Sequence, residues 1–305
     1  MKIAILGFGT VGSGCMEALN NTNIDVARIL DKRDIPEISD RLTTNFDDIL
    51  NDETIELVAE LMGGEHPAYD FVKAAILKGK HVVTANKQML SHHYTELTSL
   101  AEANGVILEY SATAGGGIPW IASLKRAAKV DDILEVGGVM NGTTNFILDA
   151  MQTRGESYNE ALKKAQELGY AEADPTADVM GYDVRAKLAI SCNIAFGGEM
   201  IPEGIKTVGI TGIDESAVLR AKAEDKAIRL VAKAVYKEGI IEANIEPICV
   251  GPESPMYNLS GPENLFYYIG KRSGLMAFRG AGAGKGPTGA NVAADILEIE
   301  RLNHA

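Results

Sequence analysis

Two side chains in the second half of the sequence have the spacing of an acid–base pair. Asp183 and Lys187 are four residues apart in a segment that we expect to be helical, so they lie on one face of that helix. A lysine in a closed, partly desolvated pocket can have its pKa lowered towards the working pH, which lets it donate and accept protons. The spacing alone is equally typical of an exposed ion pair. A catalytic role for this pair therefore needs further evidence from other parts of the sequence.

Glycines near the N-terminus predict a dinucleotide site. Gly7, Gly9 and Gly12 form the pattern G-x-G-x-x-G, directly after an apolar run and at the start of an amphipathic stretch. The first glycine permits a tight turn, the second lets the backbone approach a pyrophosphate, and the third allows a helix to pack closely on the strand. The helix that begins near Thr10 and Val11 presents its free N–H groups to the phosphates. These five residues are therefore predicted to bind NAD or NADP.

The residues that would meet the adenosine ribose leave the choice of cofactor open. Asp31 lies at the end of the second predicted strand, about 20 residues beyond the glycines, where an acidic residue binds the ribose hydroxyls of NAD. Lys32 and Arg33 follow at once, and these cations are equally able to hold the 2′-phosphate of NADP. An exposed turn of mixed charge is a third reading of the same three residues.

Alternating elements support this site. Apolar runs alternate with amphipathic stretches over the first 110 residues, which predicts right-handed βαβ units and a doubly wound, Rossmann-type α/β domain with a parallel sheet. The predicted strands are residues 2–6, 24–30, 55–62, 81–84 and 106–110. The predicted helices run from the glycine turn to about residue 20, over 69–78, and onward from residue 91.

The alternation of short apolar runs and amphipathic stretches ends at a Gly/Pro-rich break at residues 114–119. Long helical patterns cover residues 143–152, 158–168, 178–195 and 215–237, and strands are predicted at 133–140 and from 247 onward. A final helix covers about 289–302. We expect a nucleotide-binding domain of residues 1–128 completed by 276–305, and an α+β catalytic domain of residues 129–275. An open sheet in the second domain would bury its apolar face against another copy, which predicts a homodimer.

Composition excludes several classes of function. The chain has 305 residues with 29 Lys plus Arg against 42 Asp plus Glu, a formal charge of −13, and a sequence pI of about 4.9. Such a surface repels phosphate backbones, so we expect no nucleic-acid or membrane partner. No apolar stretch is long enough to span a bilayer. Cysteines at only 15, 192 and 249 suit a reduced, cytoplasmic protein.

Several segments further along the chain resemble motifs of the homoserine dehydrogenases, in that family's order. Residues 82–87 end in Thr-Ala-Asn-Lys, and residues 138–148 contain Asn-Gly-Thr-Thr-Asn. Residues 169–188 are similar to the family's catalytic segment, and residues 280–290 to its Gly-Ala-Gly stretch before a final helix. The resemblance covers nearly the whole chain. The sequence is identified as a member of that family, in the short form without a regulatory ACT-type domain.

The resemblance implies a reaction and roles for its residues. Family members interconvert L-homoserine and L-aspartate 4-semialdehyde with NAD(P)(H). By resemblance, Lys187 donates the proton to the nascent alkoxide, Asp183 orients that ammonium and engages the substrate, and Glu172 binds the substrate's α-amino group. Asp178 falls on the opposite side of the predicted helix from Lys187, so we expect it to support the substrate site without direct contact.

Two short stretches are expected to line the reacting groups. Resemblance places Lys87 near the nicotinamide and the reacting oxygen, as a second proton-transfer group or as an electrostatic stabiliser, and it makes Thr84 a cofactor contact. Asn141 and Gly142 read equally as a common turn, with Thr143 as the N-cap of the next helix. Both readings can hold, and these three residues are kept as substrate lining.

The loop at residues 110–119 resembles the family's interdomain loop, where backbone carbonyls can hold sodium. The family commonly has Glu at the position of Ser111 and Val at that of Ala114. Carbonyl ligands do not depend on the side chain, so Ser111, Ala114, Gly116 and Ile118 are candidate ligands, and a flexible glycine hinge is the alternative. The resemblance of residues 280–290 implies that the chain returns there to the nucleotide domain and brings Gly284 towards the cofactor, and a flexible linker is the alternative.

Two other functions remain to be weighed. Aspartate-semialdehyde dehydrogenase chemistry needs a thiolate nucleophile, and none of the three cysteines lies in a suitable sequence setting. A nonenzymatic dinucleotide sensor would bind cofactor without turnover, which the intact Glu172, Asp183 and Lys187 argue against.

Overall fold

The computed structural model describes residues 1–303, which divide into two compact units. The first comprises Met1–Gly117 and the C-terminal stretch from Ala283, and the second comprises Ile118–Gly282. The division falls at different residues from the predicted boundaries because α5 (Trp120–Ala128) packs on elements of the second unit, and the last strand belongs to its sheet. Within residues 1–303, no helix has the length and apolar character needed to cross a membrane.

The first unit is built on a six-stranded sheet in the order β3-β2-β1-β4-β5-β6, with every neighbouring pair parallel. This order confirms the predicted doubly wound, Rossmann-type architecture, whose ligands bind at the carboxyl ends of the strands where the order reverses. That point lies between β1 and β4. The strands are β1 (Lys2–Leu6), β2 (Asp25–Leu30), β3 (Leu42–Thr43), β4 (Leu57–Glu60), β5 (His81–Thr84) and β6 (Leu108–Glu109).

Helices pack on this sheet and bury its apolar strands. Ile3, Ile5 and Leu57 are fully buried in its core. The prediction that the fourth helix begins near residue 91 is wrong, because Asn86 accepts a hydrogen bond from the Met89 N–H and so begins that helix at residue 87. The helices are α1 (Thr10–Leu19), α2 (Asp47–Leu50), α3 (Ala68–Leu77), α4 (Lys87–Ala103) and the last helix, α11 (Lys285–Asn303).

The second unit combines helices with a mixed sheet in the order β12-β11-β7-β9-β10-β8. Trp120 of α5 packs against Phe266, Tyr268 and Phe278 on one face of this sheet. The helices are α6 (Gly142–Arg154), α7 (Tyr158–Glu167), α8 (Thr176–Val179), α9 (Tyr182–Phe196) and α10 (Glu215–Ala223), and the strands are β7 (Ile133–Val139), β8 (Lys206–Thr207), β9 (Ala227–Lys237), β10 (Ile240–Val250), β11 (Glu263–Gly270) and β12 (Gly274–Ala281).

Two helices predicted in this unit are wrong. The helix expected over residues 215–237 ends at Ala223, and the rest is β9, paired with both β7 and β10. The change of direction occurs at Asp225, whose φ is 53°. The helix expected over residues 178–195 is two helices, since Gly181 has a φ of 78° and separates α8 from α9.

Candidate active site

The glycine loop has the geometry of a phosphate cradle. Gly7 follows β1 with a φ of 92°, and a Cβ added at Gly12 would lie 2.1 Å from the Gly7 carbonyl oxygen. At Gly9, no other part of residues 1–303 comes within 4 Å of the Cβ position apart from the glycine itself and its neighbours along the chain, so the backbone is open to an approaching ligand. Thr10 begins α1, and Val11 packs against the core of the unit. The arrangement fits a pyrophosphate at the helix N-terminus.

Asp31 lies beside this loop and is held by two neighbours. Its Oδ2 accepts a hydrogen bond from the Phe8 N–H at 2.9 Å. Arg33 donates to Oδ1 at 2.9 Å and to Oδ2 at 2.8 Å, and it also donates to the Phe8 carbonyl oxygen. The Arg33 guanidinium holds the pKa of Asp31 well below its usual range. Lys32 is exposed beside them, so two cations accompany one carboxylate at the carboxyl end of β2.

The C-terminal helix packs on the helix that follows the glycine loop. A Cβ at Gly14 would lie 2.2 Å from the Lys285 carbonyl oxygen, and one at Gly289 would lie 2.4 Å from the Gly14 carbonyl carbon. The two glycines therefore allow α1 and α11 to cross in backbone contact. Gly284 precedes α11 with a φ of 126°, as part of the same unit as the glycine loop.

The turn between β5 and α4 carries Thr84 and Lys87. Thr84 is fully buried, and its hydroxyl donates to Glu60 Oε2 at 2.5 Å and accepts from the Asn86 N–H at 3.0 Å. Asn86 caps α4 and also donates to the Gly64 carbonyl oxygen at 2.6 Å. Lys87 is the first residue of α4 and is half-buried. The turn is thus fixed by hydrogen bonds at the carboxyl edge of the sheet.

In the second unit, an ammonium and two carboxylates form one hydrogen-bonded group. Lys187 Nζ donates to Asp183 Oδ2 at 2.6 Å and to the Met140 carbonyl oxygen at 2.7 Å. Asn141 Nδ2 donates to the same Asp183 oxygen at 3.0 Å and to Asp178 Oδ1 at 2.7 Å. Lys187 is only 8% exposed, so this is no surface ion pair. One amide therefore bridges both carboxylates, and the ammonium lies on one of them.

The expectation that Asp178 lies away from Lys187 is wrong. It assumed one continuous helix, and Gly181 breaks that helix, so Asp178 in α8 reaches the same amide as Asp183 in α9. Burial raises the pKa of Asp178, the Asn141 hydrogen bond opposes that rise, and the neighbouring Asp183 charge adds to it. Asp178 thus belongs to the charged group that contains Lys187.

The Asn-Gly turn positions this group. Asn141 is the N-cap of α6, since its Oδ1 accepts from the Thr144 N–H at 2.8 Å, so the prediction that Thr143 is the cap is wrong. Asn has both an acceptor and two donors, so its amide caps the helix and bridges the carboxylates at once. A Cβ at Gly142 would lie 2.7 Å from the Pro262 carbonyl oxygen, which explains the glycine. Thr143 donates to the Tyr170 carbonyl oxygen at 2.6 Å.

Glu172 lies in the turn between α7 and α8, which the Thr143 hydrogen bond anchors to α6. Its side chain is exposed, and its carbonyl oxygen accepts from Gln166 Nε2 at 3.1 Å. The turn therefore leads directly into the helix that carries Asp178.

The four candidate cation ligands divide between the units. Ser111 is 2% exposed, and its hydroxyl has no hydrogen-bond partner within residues 1–303. Ala114 is buried, and the Gly116 carbonyl oxygen accepts from Asn291 Nδ2 at 2.6 Å. These three belong to the first unit, whereas Ile118 begins the second. A buried hydroxyl without a partner is unusual and suits a site that completes its bonding with a ligand.

The cysteines do not suit thioester chemistry. Burial raises the pKa of Cys15 and of Cys192 to about 12, so neither forms a thiolate at neutral pH. Cys249 is an exposed residue of β10.

Two family models match consecutive parts of the chain. The model described as "Homoserine dehydrogenase, NAD binding domain" matches residues 7–111, and the model described as "Homoserine dehydrogenase" matches residues 119–297. The second match alone covers more than half of the chain. The chain belongs to the homoserine dehydrogenase family.

Individual family members agree along nearly the full length. Homoserine dehydrogenase from Synechocystis sp. is 36% identical over 98% of this chain and 73% of its own length, and that from Lactococcus lactis is 37% identical over 98% and 74%. The crystal structure of a homoserine dehydrogenase from Thiobacillus denitrificans has a TM-score of 0.95 at 36% identity, covering 100% of this chain and 74% of that one. A putative homoserine dehydrogenase from Archaeoglobus fulgidus has a TM-score of 0.89 at 33% identity, covering 98% and 99%.

Membership of the homoserine dehydrogenase family confirms the predicted class. The chain is an NAD(P)-dependent oxidoreductase of the family that acts in threonine and methionine biosynthesis. The sequence did not identify Glu60, Asn86 or Asp295 as residues that support the candidate site. Asn86 donates to Glu60, and Asp295 accepts a hydrogen bond from the Ser111 N–H at 2.8 Å. One feature of the sequence could have indicated Glu60, namely that a single charged residue ends the otherwise apolar strand β4.

Proposed function

We propose that this chain interconverts L-homoserine and L-aspartate 4-semialdehyde with Lys187 as the group that moves the proton. The observation that supports this most is the buried ammonium held by Asp183 and the Met140 carbonyl oxygen. An ammonium has three N–H groups, and two are directed at these oxygens. We assign the third to the substrate oxygen.

The protein's own groups account for the proton. A bound nicotinamide cofactor supplies or accepts the hydride at the substrate carbon. In the reducing direction, Lys187 gives a proton to the carbonyl oxygen as negative charge develops there. In the oxidising direction, the neutral Lys187 amine takes the proton from the hydroxyl. Asp183 keeps Nζ in place in both directions, and Asn141 keeps Asp183 in place.

The charge of the group favours an amino-acid substrate. In their ionised forms, Asp178 and Asp183 place two negative charges against the single positive charge of Lys187. An excess of negative charge in a partly buried site attracts the α-ammonium of homoserine. We assign Glu172 to pair with that ammonium, and Gly142 and Thr143 to line the substrate.

In the first unit, Lys87 and Thr84 are assigned to the cofactor side of the reaction. The Thr84 hydroxyl is occupied by Glu60 and the Asn86 N–H, so its contribution comes from the carbonyl group. Lys87 begins α4 at the carboxyl edge of the sheet, where it adds positive charge. Gly284 completes the cofactor-binding set.

For the cofactor, we propose that both NAD(H) and NADP(H) are used and that Arg33 favours NADP(H). Asp31 is already paired with Arg33, so its charge is neutralised at the ribose position, and Lys32 leaves a net positive charge for a 2′-phosphate. A hyperthermophilic archaeal homoserine dehydrogenase mutant, 25% identical with a TM-score of 0.84, has been solved in complex with NADPH.

We further propose a sodium site at the backbone carbonyl oxygens of Ser111, Ala114 and Gly116, which belong to one unit. The buried Ser111 hydroxyl supports it, because a cation would give that oxygen the partner it lacks within the described residues. Activity titrated with sodium against a tetramethylammonium control tests this. Equal activity in both salts would contradict it.

A homodimer is proposed through the second sheet. Strand β12 is one of its two edge strands, and Leu275, 53% exposed, points with Ala277 to the face opposite the Trp120 side. A monomeric mass by light scattering at micromolar concentration would contradict this. The same assay on Leu275→Glu tests whether β12 lies in the interface.

The activity itself is tested with purified protein, L-homoserine, and NAD⁺ or NADP⁺ in separate reactions, followed by the absorbance of the reduced nicotinamide. Growth of the signal is the expected result, and the ratio of the two rates gives the preference. A flat signal in protein that still binds NADPH would favour a sensor. A cytoplasmic location, which the three free cysteines support, is tested by cell fractionation.

A further inference from the structure

A carboxyl group is buried where the parallel sheet binds its ligands. Glu60 is the last residue of β4, paired with Leu6 on β1 and with Thr84 on β5, and it is 0% exposed. The boundary between β1 and β4 is the point at which the strand order reverses, so this carboxyl lies beneath the cofactor edge. A carboxyl buried this deeply in a strand destabilises the fold unless hydrogen bonds compensate for its loss of hydration.

Three donors surround the two oxygens of Glu60. Oε1 accepts from the Met62 N–H at 2.8 Å and, more weakly, from Asn86 Nδ2 at 3.5 Å. Oε2 accepts from the Thr84 hydroxyl, which itself accepts from the Asn86 N–H. A carboxylate accepts hydrogen bonds and donates none, so its ionised form satisfies every one of these donors.

These bonds connect three turns at the same edge. The Thr84 and Asn86 bonds fix the turn that begins α4 with Lys87. The Met62 bond fixes the turn after β4, and there the Met62 Cγ atom lies 3.0 Å from the Cβ position of Gly7, the first glycine of the phosphate loop. One side chain is therefore bonded to the Thr84–Lys87 turn and to the turn after β4, and the latter packs beside the phosphate loop.

We propose that Glu60 is a positioning residue that, as a carboxylate, holds the Thr84–Lys87 turn and the glycine loop in the arrangement that binds the nicotinamide cofactor. Protonation of Glu60 then weakens cofactor binding. The inference rests on the proposed placement of Thr84 and Lys87 beside the cofactor.

The hydrogen-bond pattern explains the dependence on protonation. A proton on Oε2 would force the Thr84 hydroxyl, which already accepts from the Asn86 N–H, to turn its own hydrogen away. A proton on Oε1 would face the Met62 N–H. On Oε2 the bond with Thr84 would be reversed, so that the hydroxyl accepts from both Glu60 and Asn86, and on Oε1 one donor would lose its acceptor. In either position the loss of the negative charge weakens the remaining hydrogen bonds. Burial raises the pKa of Glu60 to about 7, against the lowering effect of its hydrogen bonds, so both forms are populated near neutral pH.

Other titratable groups lie on the neighbouring elements and remain in Glu60→Gln, so the difference between the two proteins reports on Glu60. Lys2 on β1 and His81 on β5 lie at the opposite ends of those strands. On α3, Asp70 pairs with His66, and Lys73 pairs with Glu96. The first turn of α4 contributes Lys87. On α4, His92 and His93 lie within 4 Å of the Glu65 carboxylate.

The test is the dissociation constant of NADH, measured by its fluorescence, from about pH 5.5 to 8.5, a range that brackets the transition. NADH is the probe because the 2′-phosphate of NADPH titrates near pH 6. In the unaltered protein, the Kd is expected to rise about 3- to 10-fold as the pH falls through about 7. A change of this size corresponds to the loss of one or two hydrogen bonds. Glu60→Gln keeps the shape but cannot ionise, so its Kd should stay at the weaker value at every pH.

The control is Val82→Ala, which removes buried methyl groups from β5 without altering a hydrogen bond of Glu60. It should lower the Tm and keep the pH dependence of the Kd. A Kd for Glu60→Gln that follows the unaltered protein at every pH would overturn the inference. An unaltered protein that binds neither NADH nor NADPH would instead overturn the proposed function.

A second variant applies if Glu60→Gln does not fold. Thr84→Val removes one donor to the carboxylate, and since that bond lowers the pKa of Glu60, the transition in the Kd should move to higher pH. A transition that stays at the same pH would overturn the inference.

Discussion

Replacing Lys187 by alanine tests the proposed proton transfer most directly. The substitution removes the Nζ atom that donates to Asp183 Oδ2 and to the Met140 carbonyl oxygen. Asp183 keeps its hydrogen bond from Asn141, so one of its partners survives. The glycine loop and Asp31 belong to the other unit and keep their own hydrogen bonds. The variant should therefore lose turnover and keep cofactor affinity.

The size of each effect follows from these contacts. Loss of a positioned general acid lowers kcat by about 10²- to 10⁴-fold, equal to about 3 to 5 kcal/mol in the activation free energy. Breaking a fully buried ion pair costs about 3 to 5 kcal/mol of folding stability. Here the Asp183 side chain retains 14% exposure and the Asn141 amide, so a loss of about 1 to 3 kcal/mol is expected.

The assay compares initial rates in both directions with the Kd for NADH. Added methylamine should restore part of the rate, because a small primary amine can enter the space left by the lysine and carry the proton. Arg185→Met is the matched control, because it also removes a cation from α9. The partners of Arg185 are Thr207 and the Tyr182 ring, which lie outside the Lys187 group. That variant should retain its turnover.

A kcat for Lys187→Ala within about threefold of the unaltered enzyme, less than 1 kcal/mol, would refute the assignment. A loss of turnover matched by a loss of NADH binding would point to unfolding. In that case Lys187→Met, which keeps the aliphatic stem, repeats the test with less disturbance of packing.

Three further changes have defined outcomes. Gly12→Ala should abolish binding of NADH and NADPH in a fluorescence titration, because its Cβ would lie 2.1 Å from the Gly7 carbonyl oxygen. Arg33→Ala should lower the ratio of NADP⁺ to NAD⁺ rates, and an unchanged ratio would exclude Arg33 from cofactor selection. Glu60→Gln should gain stability relative to the unaltered protein as the pH rises from about 4.5 to about 7, by on the order of 3 kcal/mol in chemical denaturation. The sign follows because the raised pKa of folded Glu60 contributes stability at low pH that is lost through this window.

The first unit was predictable because its signals are local. Buried parallel strands are short apolar runs, and glycines mark the turns between them, so Lys2–Leu6 and His81–Thr84 were predicted to the residue. The start of α4 was missed because a cap at Asn86 depends on one side-chain hydrogen bond, whereas the apolar period becomes clear only later.

Strand β9 was mistaken for a helix for a specific reason. Its charged residues Arg229, Lys233 and Lys237 recur every four positions. A spacing of four is close to one helical turn and is also an even number, so it places residues on one side of either a helix or a strand. Pairing with β7 and β10, which the sequence does not display, decides the outcome.

The candidate site was predictable in its residue types and not in its connections. Asp183 and Lys187 share a helix face, so their pairing follows from spacing. The bridge from Asn141 to Asp178 joins residues 37 positions apart, and it depends on the break at Gly181. Long-range side-chain bonds of this kind have no periodic signal in the sequence.

Buried charges in this chain differ in what surrounds them, and that difference separates support from function. Arg229 donates to the backbone carbonyl oxygens of residues 256, 257 and 259 and to Asn145, so its hydrogen bonds stabilise the fold. Glu60 and Lys187 each have a bond to the backbone, but they are also bonded to side chains that belong to the two proposed sites, Thr84 in one unit and Asp183 in the other. A glutamine at position 60 would fill the same space without the penalty of burying a charge. Near pH 8 the ionised carboxyl contributes no stability over a glutamine, which agrees with the proposed role in positioning the cofactor-binding turns.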